Sequence, residues 1–150
     1  MSIKAYQTAQ DKVSDPRRIE IMVFQKCNAL LTSAEADRSR SGDGSQSLAT
    51  AKSEAHALYE NDRLWTTLLA DLANDDNQLA PALRARLISL GLWASRYADK
   101  VRAEKTASFE PLIHLNAQMI AGLTASLDPA RQGVPSQAAG TPAPLGPIVT

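Results

Sequence analysis

Leu87-Ile88-Ser89-Leu90-Gly91-Leu92-Trp93-Ala94 is the stretch that decides the fold. Apolar residues recur through and beyond it at steps of three and four. Leu83, Leu87, Leu90, Ala94, Tyr97 and Val101 form a heptad-like line, which is a helical period and not a strand period. Pro81 suits the first turn of that helix. Ile88, Leu92 and Trp93 then spread apolar surface around nearly the whole circumference. Such a helix is either central in a closed bundle or half covered by a partner. Gly91 costs about 1 kcal/mol against alanine in a helix interior. Close approach of another backbone makes it tolerable, and Gly122 is the candidate counterpart.

Three more helices flank this one. The fourth opens at Ser108 with Pro111 in its first turn, and Leu112, Leu115, Met119, Leu123 and Leu127 form its stripe. The second runs from about Leu48 to Ala73, with Leu58, Trp65, Leu68, Leu69 and Leu72 on one face, and Asn74-Asp75-Asp76-Asn77 ends it in a turn. The first follows Asp15-Pro16, which reads as N-cap then N1. Ile19, Val23, Cys27, Leu30 and Ala34 recur along it, widened by Phe24 and Leu31. Arg38 to Gln46 reads as a Ser/Gly/Asp linker. No alternating run suggests a sheet, and no period of twenty to fifty residues repeats. Short connections between the last three helices favour antiparallel neighbours. The expected fold is all-α, a small bundle of about four helices over residues 1–127. Residues 128–150 hold five of the eight prolines and no aromatic residue. They bury too little surface to offset the entropy of ordering, so a disordered Pro/Gly/Ala-rich tail is expected there.

Composition narrows the function classes. The chain has 150 residues, 44% apolar and 21% charged, with 16 basic and 16 acidic side chains. A uniformly basic nucleic-acid binder is disfavoured. One cysteine excludes an internal disulfide and any multi-cysteine metal site. No apolar run is long enough to span a membrane, and charges interrupt the N-terminus, so a cytoplasmic protein without membrane insertion is expected. The zero net charge hides a polarity. Residues 81–105 carry six basic and two acidic side chains, and residues 47–76 carry six acidic and two basic. Either the second and third helices attract each other, or the basic face meets a partner.

No catalytic constellation is visible. Cys27 sits on an apolar stripe with no helix N-terminus beside it and reads as a structural thiol. His56 and Glu60, one turn apart, read as a solvated pair. The turn at Asp75-Asp76-Asn77 lacks the glycine and terminal glutamate of a calcium loop. Phosphate-binding glycine loops and nucleophile elbows are absent from the sequence. The chain is therefore read as no enzyme, with no catalytic, cofactor-binding or metal-ligating residues and no cofactor. Its candidate partner-binding residues are Leu64, Trp65, Ile88, Leu92, Trp93 and Arg96, the two tryptophans as anchors, since tryptophan is enriched at interface hot spots.

Several stretches together resemble the flagellar biosynthesis regulator FlaF family. They are Ala5-Tyr6-Gln7, Asn61-Asp62-Arg63-Leu64-Trp65, Leu87 to Trp93, Pro111-Leu112-Ile113-His114-Leu115-Asn116 and Met119-Ile120-Ala121-Gly122-Leu123. The linker around Gly42 and Gly44 and the Pro/Ala tail depart from the family pattern without interrupting a matching stretch. The resemblance implies a cytoplasmic, non-enzymatic factor for flagellin production or export. It implies flagellin as the partner, with the chain as its secretion chaperone, and action alongside FlbT, a regulator that binds flagellin messenger RNA. It brings no catalytic or ligand residues. The alternative it leaves is post-transcriptional control of flagellin messenger RNA, exerted directly through the basic third helix or together with FlbT. The sequence sets no oligomeric state.

Overall fold

A computed structural model describes residues 16–41 and 47–127. They form four α-helices: α1 (Pro16–Arg40), α2 (Leu48–Ala73), α3 (Pro81–Ala103) and α4 (Glu110–Ser126). The described residues contain no strand. The expected tail at 128–150 and the glycines of the linker, Gly42 and Gly44, lie outside them. α1 runs through Arg40, so Arg38 belongs to the helix and not to the linker. No described helix is long and apolar enough to cross a membrane.

Local chemistry sets the helix ends. Ser47 Oγ accepts the Thr50 N–H at 3.1 Å, which satisfies one of the four donors an α-helix leaves free at its start. Pro81 occupies the first turn of α3, where a missing N–H costs nothing. In the turn between α2 and α3, Asn74 Oδ1 accepts the Asp76 N–H at 2.9 Å and Asn77 Oδ1 accepts the Leu79 N–H at 3.0 Å. These side chains mimic backbone turns.

Contacts within the chain gather Met22–Met119 into one unit. Its core line on α1 is Phe24, Cys27, Leu31 and Ala34. That line is rotated from the expected one, because Val23 is 39% exposed. Trp65 is the largest fully buried side chain. Its ring meets Phe24 edge-on, with centroids 5.8 Å apart. Its Nε1–H donates to Asn116 Oδ1 at 3.0 Å, and Asn116 Nδ2 donates to Asn61 Oδ1 at 2.8 Å. A buried indole needs such an acceptor, and Asn116 of α4 supplies it, held in turn by Asn61 of α2. The Cys27 thiol donates to the Glu60 carbonyl at 3.6 Å. Burial, and then the nearby Glu60 carboxylate, push the Cys27 thiol above its ordinary pKa, as befits a structural cysteine.

The last turns of α1 hold two other helix ends. Glu35 Oε2 accepts the Phe109 N–H at 2.8 Å, and Oε1 accepts the Ser108 hydroxyl at 2.6 Å, immediately before α4. One turn later Arg38 donates to the carbonyls of Ala107 at 2.6 Å and Val101 at 3.3 Å, around the C-terminus of α3. Its guanidinium also lies 4.7 Å from the centroid of the Phe109 ring and pairs with Glu54 of α2. An anion at a helix start and a cation at a helix end both oppose the helix dipole favourably.

The Cα traces of α2 and α3 come within 8 Å of each other. The buried line of α3 is Gly91, Ala94, Ala98 and Val101, and it replaces the expected line through Leu83 and Leu90. Small residues permit the approach. A Cβ on Gly91 would stand 2.7 Å from Leu69 Cδ2, whereas one on Gly122 would meet nothing within 4 Å. The counterpart of Gly91 is therefore a leucine of α2 and not Gly122.

Among the described residues, 16–21 and 120–127 belong to the second unit. In its described part Arg17 Nη1 donates to Ser126 Oγ at 3.1 Å, and Ser126 donates on to the Leu123 carbonyl.

Two expectations can be measured by urea unfolding. Arg38→Met should cost about 3 kcal/mol, because it strips the guanidinium from a buried carboxylate. Adding Glu54→Gln should then recover part of that loss. Gly91→Ala should destabilise by about 1 kcal/mol, since crowding against Leu69 outweighs the gain in helix propensity. Gly122→Ala should instead stabilise by up to about 1 kcal/mol.

Candidate functional site

The inward line of α3 is built from small residues, so its large apolar residues are left outside. Leu83 is 45% exposed, Leu90 38%, Leu92 46% and Trp93 40%. At 100° per residue these fall on two flanks of the buried line. On one flank Leu92 follows Ile88 and faces α2. There it lines a cleft of about 70 Å³ with Asn61, Trp65, Thr66, Leu69 and Gly91. That is well below the roughly 300–1,000 Å³ of a small-molecule site. On the other flank Leu83, Leu90, Trp93 and Tyr97 make a strip.

The strip is held rigidly at one end. Trp93 and Tyr97 stack with ring centroids 5.3 Å apart and planes 17° from parallel. The Tyr97 hydroxyl donates to the Ser108 carbonyl at 2.7 Å, which ties the stack to the segment that precedes α4. Lys100 Nζ lies 5.9 Å from the Tyr97 ring centroid. Arg86, Arg96 and Lys100 are exposed, and lie about one turn from Leu90, Trp93 and Tyr97 respectively.

The six residues expected to bind a partner do not form one surface. Trp65 is only 2% exposed and spends its polar group on Asn116, so it is a core residue and not an anchor. Leu64 and Ile88 are half-buried. Leu92 belongs to the cleft beside α2, whereas Trp93 belongs to the strip, and exposed Arg96 stands between them. Sequence reasoning left Leu83, Leu90 and Tyr97 on the buried line and did not single out Arg86 or Lys100. The signal that separates the two lines is residue size. Gly91, Ala94 and Ala98 recur at helical spacing, and a stripe of small residues is the one that another helix can approach closely.

The described residues contain no group of three or more His, Cys, Asp or Glu side chains placed to hold a metal. Of the acidic and basic helices, the one ion pair described between α2 and α3 is Arg102 with Asp62, and Arg102 also pairs with Asp99.

The strip carries a titration. Burial first, then Glu35 and Glu104, raise the Tyr97 phenol above its ordinary value of 10.0. The unfolded chain gives up that proton at lower pH than the folded one. Its contribution to stability is complete below about pH 10 and is lost as pH rises through the higher folded value. Tyr97→Phe should therefore show a shallower loss of stability than the wild type between about pH 9 and pH 11, followed by urea unfolding.

A family model described as Flagellar protein FlaF matches residues 2–123. The match takes in α1, α2 and α3 whole and most of α4. No curated protein and no solved structure matches the chain. The matched region contains the strip, the cleft and both helix ends held by α1, and it covers well over half of the sequence. The chain belongs to the FlaF family of flagellar proteins and serves flagellar biogenesis.

Proposed function

We propose that the protein acts in the cytoplasm as a non-enzymatic binding partner of flagellin, a secretion chaperone or adaptor needed for flagellin synthesis and flagellum assembly. The observation that carries the reading is the apolar strip of α3 on a member of a flagellar family. Subunit ends built as amphipathic helices are sticky before assembly. A neighbouring helix that offers an unfilled apolar face covers such a segment in the helix-in-groove manner. Trp93, stacked and half-exposed, has the character of an interface anchor.

A second reading draws on the exposed cations of α3. They suit phosphate contacts with flagellin messenger RNA, made directly or together with FlbT. Such binding would weaken steeply with salt. Against it, the two aromatic rings of the strip stack on each other and are not splayed to receive unpaired bases.

Purified protein and monomeric flagellin should co-elute in size-exclusion chromatography. Trp93→Ala should weaken the complex about tenfold or more, with the helical circular dichroism unchanged. The flagellin reading fails if the wild-type pair stays separate at every salt concentration. A shift of flagellin leader RNA by the wild type alone, with no flagellin complex, would install the second reading.

A further inference from the structure

We propose that the occupant of the α3 strip is an amphipathic helix whose apolar stripe is edged by acidic residues, bound through Leu83, Leu90 and Trp93 with Arg86, Arg96 and Lys100 as its charged contacts. The inference rests on the reading of the protein as a binding partner and names the chemistry of what it binds. Shape comes first. Leu83 to Tyr97 is roughly 21 Å of straight helix, or about four turns. The large side chains recur at steps of three, four and seven, which matches the spacing of anchors on a second helix laid alongside. Trp93 is fixed by Tyr97, and Tyr97 by the Ser108 carbonyl, so the anchor is ordered before the partner arrives.

Charge then selects the kind of helix. Residues 81–100 hold four basic side chains and one acidic one, Asp99, whose carboxylate is taken by Arg102. Packing against the acidic α2 draws on Arg102 through Asp62. Among the described residues, Arg86 and Arg96 have no hydrogen-bond or ion-pair partner, and Lys100 sits over Tyr97. The basic surplus of α3 is therefore not consumed in folding. Arg96 and Lys100 lie along the edge of the apolar strip beyond Trp93, and Arg86 lies on it between Leu83 and Leu90, so that the surplus favours an acidic partner and repels a basic one.

The test uses the full chain and two synthetic helical peptides of about 20 residues. Both carry leucines at heptad a and d positions, and the flanking positions are glutamate in one and lysine in the other. Fluorescence titration of the wild type should show the glutamate peptide binding about tenfold or more tightly than the lysine peptide, with the preference shrinking as salt rises. The triple variant Arg86→Glu, Arg96→Glu, Lys100→Glu should reverse the preference while keeping its helical circular dichroism. Trp93→Ala should weaken the glutamate peptide, and Tyr59→Ala, on the exposed side of α2, should leave it within about twofold. Equal binding of the two peptides, binding of neither, or equal losses from Trp93→Ala and Tyr59→Ala would overturn the proposal. So would concentration-dependent self-association abolished by Trp93→Ala, since the strip would then belong to a second copy. Flagellin arms separate the two claims. Flagellin that ignores the wild type while the glutamate peptide binds through the strip removes flagellin as client and supports the acidic-helix surface. Flagellin that binds wild type and triple variant alike removes that surface and leaves flagellin as client.

Discussion

The pairing of Arg38 with Glu54, and the carbonyls that Arg38 gathers beyond it, is the constraint on which the core of this chain depends. A guanidinium taken largely out of water must find acceptors on every side of its plane. Here they come from three different segments: the Glu54 carboxylate of α2, the Val101 carbonyl of α3 and the Ala107 carbonyl of the following turn. One turn earlier Glu35 meets the start of α4 with the opposite charge. α1 thus fixes where α3 stops and where α4 begins. The turn at residues 104–109 does not have to encode either position by itself.

The same geometry explains the outer face of α3. Its C-terminal end is held by Arg38 and its inner line by close contact with α2, so its rotation about its own axis is set. Gly91, Ala94 and Ala98 occupy the contact, and the larger residues are turned outward. Surplus apolar surface is then a result of how α3 is seated and not of loose packing. Exposed patches of this kind, rimmed by polar groups, are where proteins meet partners.

The helices themselves are legible in the sequence because their punctuation is local. Pro16, Leu48 after Ser47, and Pro81 each begin a helix where propensity and capping say they should. The choice of inward stripe is not local. On a helix apolar nearly all round, the lines through Leu83, Leu90 and Ala94 and through Gly91, Ala94 and Ala98 compete, and only the approach of α2 decides between them. Trp65 and Trp93 look alike in sequence for a similar reason. Their difference lies in Asn116, 51 residues away from Trp65. Arg38 reads as the first residue of a polar linker because its acceptors lie 16, 63 and 69 residues away. The family resemblance was legible through short runs spread over residues 5–123, and the family match covers those runs.

The reach of α1 has a consequence for how the chain acquires its structure. Arg38 and Glu35 meet groups 63 to 74 residues downstream. Contacts so distant along the chain are formed late, since a long loop must close before any of them is gained. During synthesis α1 and α2 are made before Phe109 exists. Until then Arg38 has the Glu54 carboxylate but not the Val101 and Ala107 carbonyls, and Glu35 lacks the Phe109 amide. The seating of α3 and α4 against α1 therefore depends on the chain having been made through residue 109.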